Sequence, residues 1–319
     1  MTAGPRLLAC LVSGAVLAVV QVPAQESLRT PWGDPDLQGI WPSGHMIEVP
    51  FERPAEFGTR AVLTDEEFAR RASDMRRQAA ADAAEVSAGG PATVTPPSHW
   101  LERGVPSHQA SLVVDPPNGR LPPMTEDGAR RARAWPSGNP AGGFSSAEAF
   151  NVYDRCITRG VLGSAFPNIY GSGTEILQTP EHVIIRYEMV HETRVIPLDG
   201  RPHLPGALRS YMGDPRGWWE RDTLVVETTN FNGKTGSYAR NGNGNPTSDA
   251  LRLVERFTRR DADTLEYQVT VDDPRTWTRP WTVAFPLKRD PSYALHEYAC
   301  HEGNYAIVNM LRASRAAER

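Results

Sequence analysis

The chain is poor in lysine and cysteine. Of its 34 basic residues only Lys234 and Lys288 are lysines, and 319 residues include three cysteines, Cys10, Cys156 and Cys300. None of the cysteines lies in a C-x-x-C pair, which argues against a zinc ribbon or a dithiol oxidoreductase. The net charge is only −4, so no overall field gathers nucleic acid. There is no G-x-S-x-G elbow, no P-loop and no dinucleotide fingerprint. His191 begins "HETRV", which lacks the second histidine of H-E-x-x-H, and no H-x-H pair occurs. Beyond the first residues no apolar run is long enough to span a bilayer. No nucleic-acid partner, membrane span, cofactor or resident metal is therefore expected.

What is present begins with an export signal. Arg6 gives a positive start, Leu7–Val20 an apolar core, and "VPA" small residues before Gln25. Cys10 precedes most of that core, whereas an acylated cysteine follows it. Residues 1–24 are read as a signal peptide and the mature chain as periplasmic or extracellular. Two cysteines then remain. An even count in an exported chain suggests a disulfide, with two buried thiols as the alternative.

Residues 25–110 read as an irregular and helical N-terminal segment. "TPWGDPDLQGIW" and "VPFERPAEFG" are rich in Pro, Gly and aromatics. Thr64 and Glu67 form a capping box before a strongly helical stretch, whose Phe68, Ala72, Met75 and Ala79 make one narrow stripe. Residues 111–319 read as an antiparallel β domain with a C-terminal helix. Ser111–Asp115 suggests a strand, Thr125–Trp135 a helix, and "SSAEAFNVYDRCITRG" a short helix stopped near Gly160. From Thr174 the period becomes two, through "TEILQT", "EHVIIRYEMVHETRVIPL", "GWWERDTLVVETTNF", "LRLVERFTRRDADTLEYQVTVDD", "RPWTVAFPL" and "LHEYAC". Long crossover helices are absent, so the sheet is antiparallel. The expected fold is mainly β, an antiparallel barrel or sandwich (a lipocalin-like meander) with flanking helices.

Alternation then places the charges. Leu265, Tyr267, Val269 and Val271 mark an inward face. By the same parity Glu255 falls inward with Leu253 and Phe257, and Arg279 with Trp277, Trp281 and Val283. A Glu255–Arg279 pair is one reading and a ligand pocket inside the sheet another. If "VIIRYEMVH" is unbroken, Tyr187 and His191 share a face. Asp199, Arg201 and His203 lie on the "DGRPH" loop that follows. Were Cys156 bridged to Cys300, Asp154, Arg155, Arg159, His301 and Glu302 would share one neighbourhood. The candidate catalytic residues are His191, Tyr187, Asp199 and His301, as base, donor or orienting group. The candidate ligand-binding residues are Arg201, His203, Glu255, Arg279, Arg155 and Glu302.

The stretches "YDRCITRG", "MGDPRGWWERDTLVVETTNF", "LVERFTRRDADTLEY" and "YACHEGNY" resemble a large uncharacterised family of exported bacterial proteins. The match covers nearly all of the mature chain. Arg221 stands where that family carries a turn glycine. "GIW" (Gly39–Trp41) is similar to the G-x-W that begins lipocalin-like barrels. Together these features suggest an exported small-molecule enzyme using acid–base chemistry in a polar pocket at the sheet's open end, of unknown reaction. The alternative is a non-catalytic, lipocalin-like binder of a small ligand.

If the N-terminal reading holds, protein recovered from the periplasm or medium starts at Gln25 by intact-mass measurement. Recovery with Met1 attached would reject the cleaved signal.

Overall fold

The computed structural model describes residues 28–87, 104–135, 144–236 and 245–317, with 82–87 as backbone only. The expected signal peptide, the Pro/Gly loops at 88–97 and 136–143, and Asn241–Gly244 lie outside these residues. Two antiparallel sheets form a sandwich rather than a closed barrel. The smaller has the order β1 (Gly39–Ile40), β3 (Thr174–Gln178), β4 (His182–Tyr187), β5 (Thr193–Pro197). The larger has the order β2 (Val113–Asp115), β10 (Trp281–Lys288), β9 (Thr264–Asp272), β8 (Arg252–Arg259), β7 (Thr223–Thr229), β6 (Asp214–Glu220). The edge strands β5 and β6 approach without hydrogen-bonding as a ladder. Gly217 permits this: a Cβ there would sit 2.7 Å from Leu198 and 2.8 Å from Ile196.

The alternation in β9 holds. Leu265, Tyr267, Val269 and Val271 are buried, and the residues between them are half-exposed. Trp41, Phe166, Trp281 and Phe285 are at most 1% exposed and fill the space between the sheets. Leu37, Trp41, Met46 and Val49 belong to this same core, so the irregular N-terminal stretch is tied into it. The gap beside Val161, Leu162, Phe231 and Leu253 has no room for a water-sized molecule.

Among the described residues four helices flank the sheets: α1 (Asp65–Ser87), α2 (Glu126–Ala134), α3 (Gly160–Ala165) and α4 (Ala306–Ala317). The capping box at α1 is formed both ways: Glu67 N–H donates to Thr64 Oγ1 at 3.3 Å, and Thr64 N–H donates to Glu67 Oε2 at 2.8 Å. Thr125 caps α2 by accepting from Gly128 N–H at 3.0 Å. The helix expected to stop near Gly160 is different. Only a 3₁₀ turn forms at Ala147–Ala149, and α3 begins at Gly160. The Asn151 side chain, whose Oδ1 accepts from Asp154 N–H, and the left-handed Cys156 (φ 56°) break the stretch between them.

Three further expectations are corrected. The strand through "VIIRYEMVH" ends at Tyr187; a 3₁₀ turn (Met189–His191) follows and His191 is exposed, not in line with Tyr187. Arg279 precedes β10 in a turn, is half-exposed, and bonds Asp115 at 3.2 Å rather than Glu255. "LHEYAC" forms turns and irregular chain, not a strand.

Glu255 does fall inward, and its partner is Arg194 of β5. The pair is bidentate, Nη2–Oε2 2.5 Å and Nη1–Oε1 3.0 Å, with both side chains at most 1% exposed. Arg194 also donates to Tyr187 Oη (3.1 Å) and Thr228 Oγ1 (3.2 Å), and Tyr267 O–H donates to Glu255 Oε1 (3.1 Å). Burial would lower the arginine's pKa, but Glu255 and Tyr187 more than offset it and hold the guanidinium charged. Burial pushes Tyr187 up to about 12, so its hydroxyl stays protonated at neutral pH. Two charges out of water are costly, and removing one leaves the other stranded. Glu255→Leu or Arg194→Met alone is expected to cost about 3–5 kcal/mol in urea unfolding, and the double variant to recover most of it. Single losses under about 1 kcal/mol would mean the pair is not truly desolvated.

Candidate functional site: a cleft beside the disulfide

The candidate residues separate into distinct places. Tyr187 and Glu255 meet inside the core, away from solvent. Asp199 and Arg201 pair with each other on the β5–β6 loop, and the arginine's hydrogen bond draws the Asp199 carboxyl down to about 2. His203, on the same loop, lies between Asp214 (Nδ1, 2.9 Å) and Glu227 (Nε2, 3.2 Å). The histidine thereby clasps the loop to β6 and β7. Arg279 stands apart on Asp115. Arg155, His191, His301 and Glu302 are the group gathered around the disulfide.

Cys156 and Cys300 are bridged, with Cα atoms 5.5 Å apart across a separation of 144 residues. One wall of the adjoining cleft is the turn at 151–157. Asn151 Oδ1 accepts from Asp154 N–H (2.8 Å) and Tyr153 C=O from Cys156 N–H (2.8 Å). The other wall is the turn at 298–304. Tyr298 C=O accepts from Cys300 N–H (2.8 Å) and Ala299 C=O from Glu302 N–H (3.1 Å). Asn304 Nδ2 braces the two walls by donating to Asp154 C=O at 3.0 Å. The open cleft is about 680 Å³, and Tyr153, Asp154, Glu297, Tyr298, Glu302 and Asn304 line it. That volume suits a small organic molecule.

The β4–β5 turn comes up against this cleft. His191 Nδ1 lies 3.2 Å from the carbonyl oxygen of Tyr298. A carbonyl accepts only, so Nδ1 carries the proton and Nε2 of the neutral ring keeps its lone pair. His191 (φ 42°) and Val190 (φ 57°) are consecutive left-handed residues. Such a conformation costs a β-branched residue on the order of 1–3 kcal/mol, and burial of Met189 and Val190 holds it. Five non-glycine described residues have positive φ, and three of them, Cys156, Val190 and His191, lie around this cleft. Strain of that kind gathers at sites that must be held in shape.

The electrostatics are unusual for this chain. Burial pushes the Asp154 carboxyl above the ordinary range, partly opposed by the Asn151 backbone N–H. Burial likewise raises Glu192, whose Oε1 accepts from Thr158 at 2.5 Å. Tyr153 O–H lies 3.3 Å from both Tyr170 and Tyr298 hydroxyls, and the guanidinium of Arg159 sits 4.6 Å above the Tyr153 ring. Burial raises the pKa of Tyr153 and Tyr298, so these two hydroxyls stay protonated. Arg155 Nε and Arg159 Nη1 are buried without a partner among the described residues. Tyr153, Tyr298 and Glu297 were not among the residues picked from sequence. Their signal was adjacency: they flank the two cysteines.

The chain is thus a two-sheet antiparallel sandwich with a disulfide-walled surface cleft. No family model matches it, and no curated protein is significantly similar to it. Among the described residues no helix is long and apolar enough to cross a membrane.

Closing so long a loop stabilises by about 5 kcal/mol in the chain-entropy account, with measured bridges usually at 2–4. Cys156→Ser with Cys300→Ser is expected to lower unfolding free energy by roughly 2–5 kcal/mol and to raise amide exchange first at 151–157 and 297–304. Unchanged exchange there would show that the bridge does not hold the cleft.

Proposed function

We propose that the protein is an exported small-molecule enzyme working by general acid–base chemistry, with its site in the cleft beside Cys156–Cys300. One observation carries the reading. A carboxyl whose pKa burial raises, Asp154, lines a cleft whose Tyr298 carbonyl fixes His191 in the tautomer with a free Nε2. A carboxyl poised to keep its proton is a donor, and an oriented imidazole nitrogen is an acceptor. Glu302 and His301 sit on the rim turn and Arg155 follows Asp154; they serve substrate placement in this reading. The sheet interior, which sequence parity had offered as an alternative place for a pocket, is filled with side chains and leaves no such room. The bridge suits an oxidising compartment, in line with periplasmic or extracellular export. The resemblance to an exported bacterial family rests on the motifs quoted above. A non-catalytic small-ligand binder would use the same cleft, and its tyrosine walls favour that second reading.

Asp154 generates a signed prediction. Its folded pKa exceeds the unfolded one, so the folded state holds the proton longer. Its contribution to stability is neutral below about pH 4. It becomes unfavourable as pH rises toward the folded pKa. Asp154→Asn is expected to raise the melting temperature at pH 7 and to lose that gain near pH 3–4. The same variant, and His191→Gln, should abolish turnover of any substrate found by thermal-shift screening of metabolite pools. Turnover that survives both substitutions would reject the acid–base assignment, and binding without turnover would establish the binder.

A further inference from the structure

Glu192 carries a carboxyl that the chemistry proposed above leaves unused. The residue follows His191 in extended backbone (φ −72°, ψ 134°), and its C=O accepts from Tyr187 N–H at 2.8 Å, which closes the turn. Its side chain reaches the segment after Cys156. Oε1 accepts from Thr158 Oγ1 at 2.5 Å, and the carboxyl also accepts from the backbone N–H of Arg159. Thr158 is buried, and its Oγ1 accepts in turn from Gly160 N–H at 2.8 Å, at the start of α3. Adjacent residues of one turn therefore hold the two segments that the disulfide joins. Glu192 holds the side of Cys156, and His191, through the Tyr298 carbonyl, holds the side of Cys300. His191 itself is exposed. One hydrogen bond does not fix an exposed ring unless the backbone beneath it is held. The setting does not favour a carboxyl for stability. Burial raises its pKa against the Thr158 and Arg159 hydrogen bonds and against the facing Arg194 and His191. Oε2 is buried without a partner among the described residues. An unsatisfied buried oxygen costs stability and asks for another reason to be there.

We propose that Glu192 is a positioning residue: through Thr158 and Arg159 it anchors the left-handed turn at Val190 and His191 to the segment after Cys156, and so keeps His191 Nδ1 on the Tyr298 carbonyl. This deepens the reading above and rests on it for the role of His191. The anchor is geometric rather than ionic. Burial favours the neutral carboxyl, and a neutral carboxyl or an amide oxygen accepts the same two hydrogen bonds. Without the anchor less holds the strain at Val190 and His191, and the turn relaxes toward ordinary backbone. A ring released from Tyr298 returns to the mixture of tautomers of a free imidazole, because the tautomer is set by the hydrogen bond that the ring makes.

The test is nitrogen NMR of the His191 ring in the bridged, full chain at mildly alkaline pH, together with amide exchange over the turn. The parent is expected to carry its ring proton on Nδ1. Glu192→Ala and Thr158→Val should each give a mixture of both tautomers and raise exchange at 189–193 roughly tenfold, as the loss of a buried hydrogen bond does. Glu192→Gln and Thr158→Ser keep the acceptor and the donor, and each should match the parent. Val283→Ala, in β10, weakens the core at a distance and should leave the ring unchanged. A parent-like ring in both Glu192→Ala and Thr158→Val would overturn the proposal and leave the Tyr298 carbonyl sufficient by itself. The same mixture in Val283→Ala would also overturn it, since the effect would then be general loosening. A mixture in Glu192→Gln would overturn the geometric anchor in favour of an ionic one. Undiminished turnover in His191→Gln would instead sink the acid–base reading and leave the positioning result standing.

Discussion

The Arg194–Glu255 pair is the constraint around which the sandwich is arranged. Arg194 projects from β5 in the smaller sheet and Glu255 from β8 in the larger, with Tyr187, Thr228 and Tyr267 adding hydrogen bonds from β4, β7 and β9. The pair therefore fixes how the two sheets face each other. An aliphatic core would tolerate small slips, but a bidentate pair out of water does not, since a slip strands two charges. The space between the sheets is filled by this pair and by the apolar core that includes Phe257, Phe285 and Trp281, and the cleft beside the disulfide lies at the surface.

Much of the fold was legible because its strands have one apolar face. In "TLEYQVTVD" the two parities differ sharply in polarity, and the phase could be read directly. The capping box of α1 was a local signal with a local cause. Where both parities are apolar the reading failed. "VIIRYEMVHETRVI" offers hydrophobic residues in either phase. Nothing in it announces that Val190 and His191 adopt left-handed geometry, because the reward for that strain comes from distant burial. Arg194 was hidden for the same reason: its neighbours Val195 and Ile196 are both aliphatic, yet only Ile196 is buried. Arg279 was misplaced because parity was extended back past Pro280, where the strand had not begun.

The candidate site was legible only through the cysteines. Joining Cys156 to Cys300 requires "YDRC" and "YACHEG" to lie together, and the flanking Tyr, Asp and Glu residues come along with that covalent demand. Their pKa shifts, the Tyr298 carbonyl contact and the shape of the cleft depend on tertiary burial that no local pattern encodes.

The pairing of β2 with β10 carries a consequence for how the chain matures. Val113 sits opposite Val283, so the edge of the larger sheet stays open until the last strand has been synthesised. Pairings so remote in sequence close slowly, because a long loop must be ordered before any contact rewards it. During that interval the early segments have neither their ladder partner nor the Trp281 and Phe285 rings that complete their hydrophobic surroundings. The topology itself keeps the nascent molecule pliable without help from weak stability in the finished product.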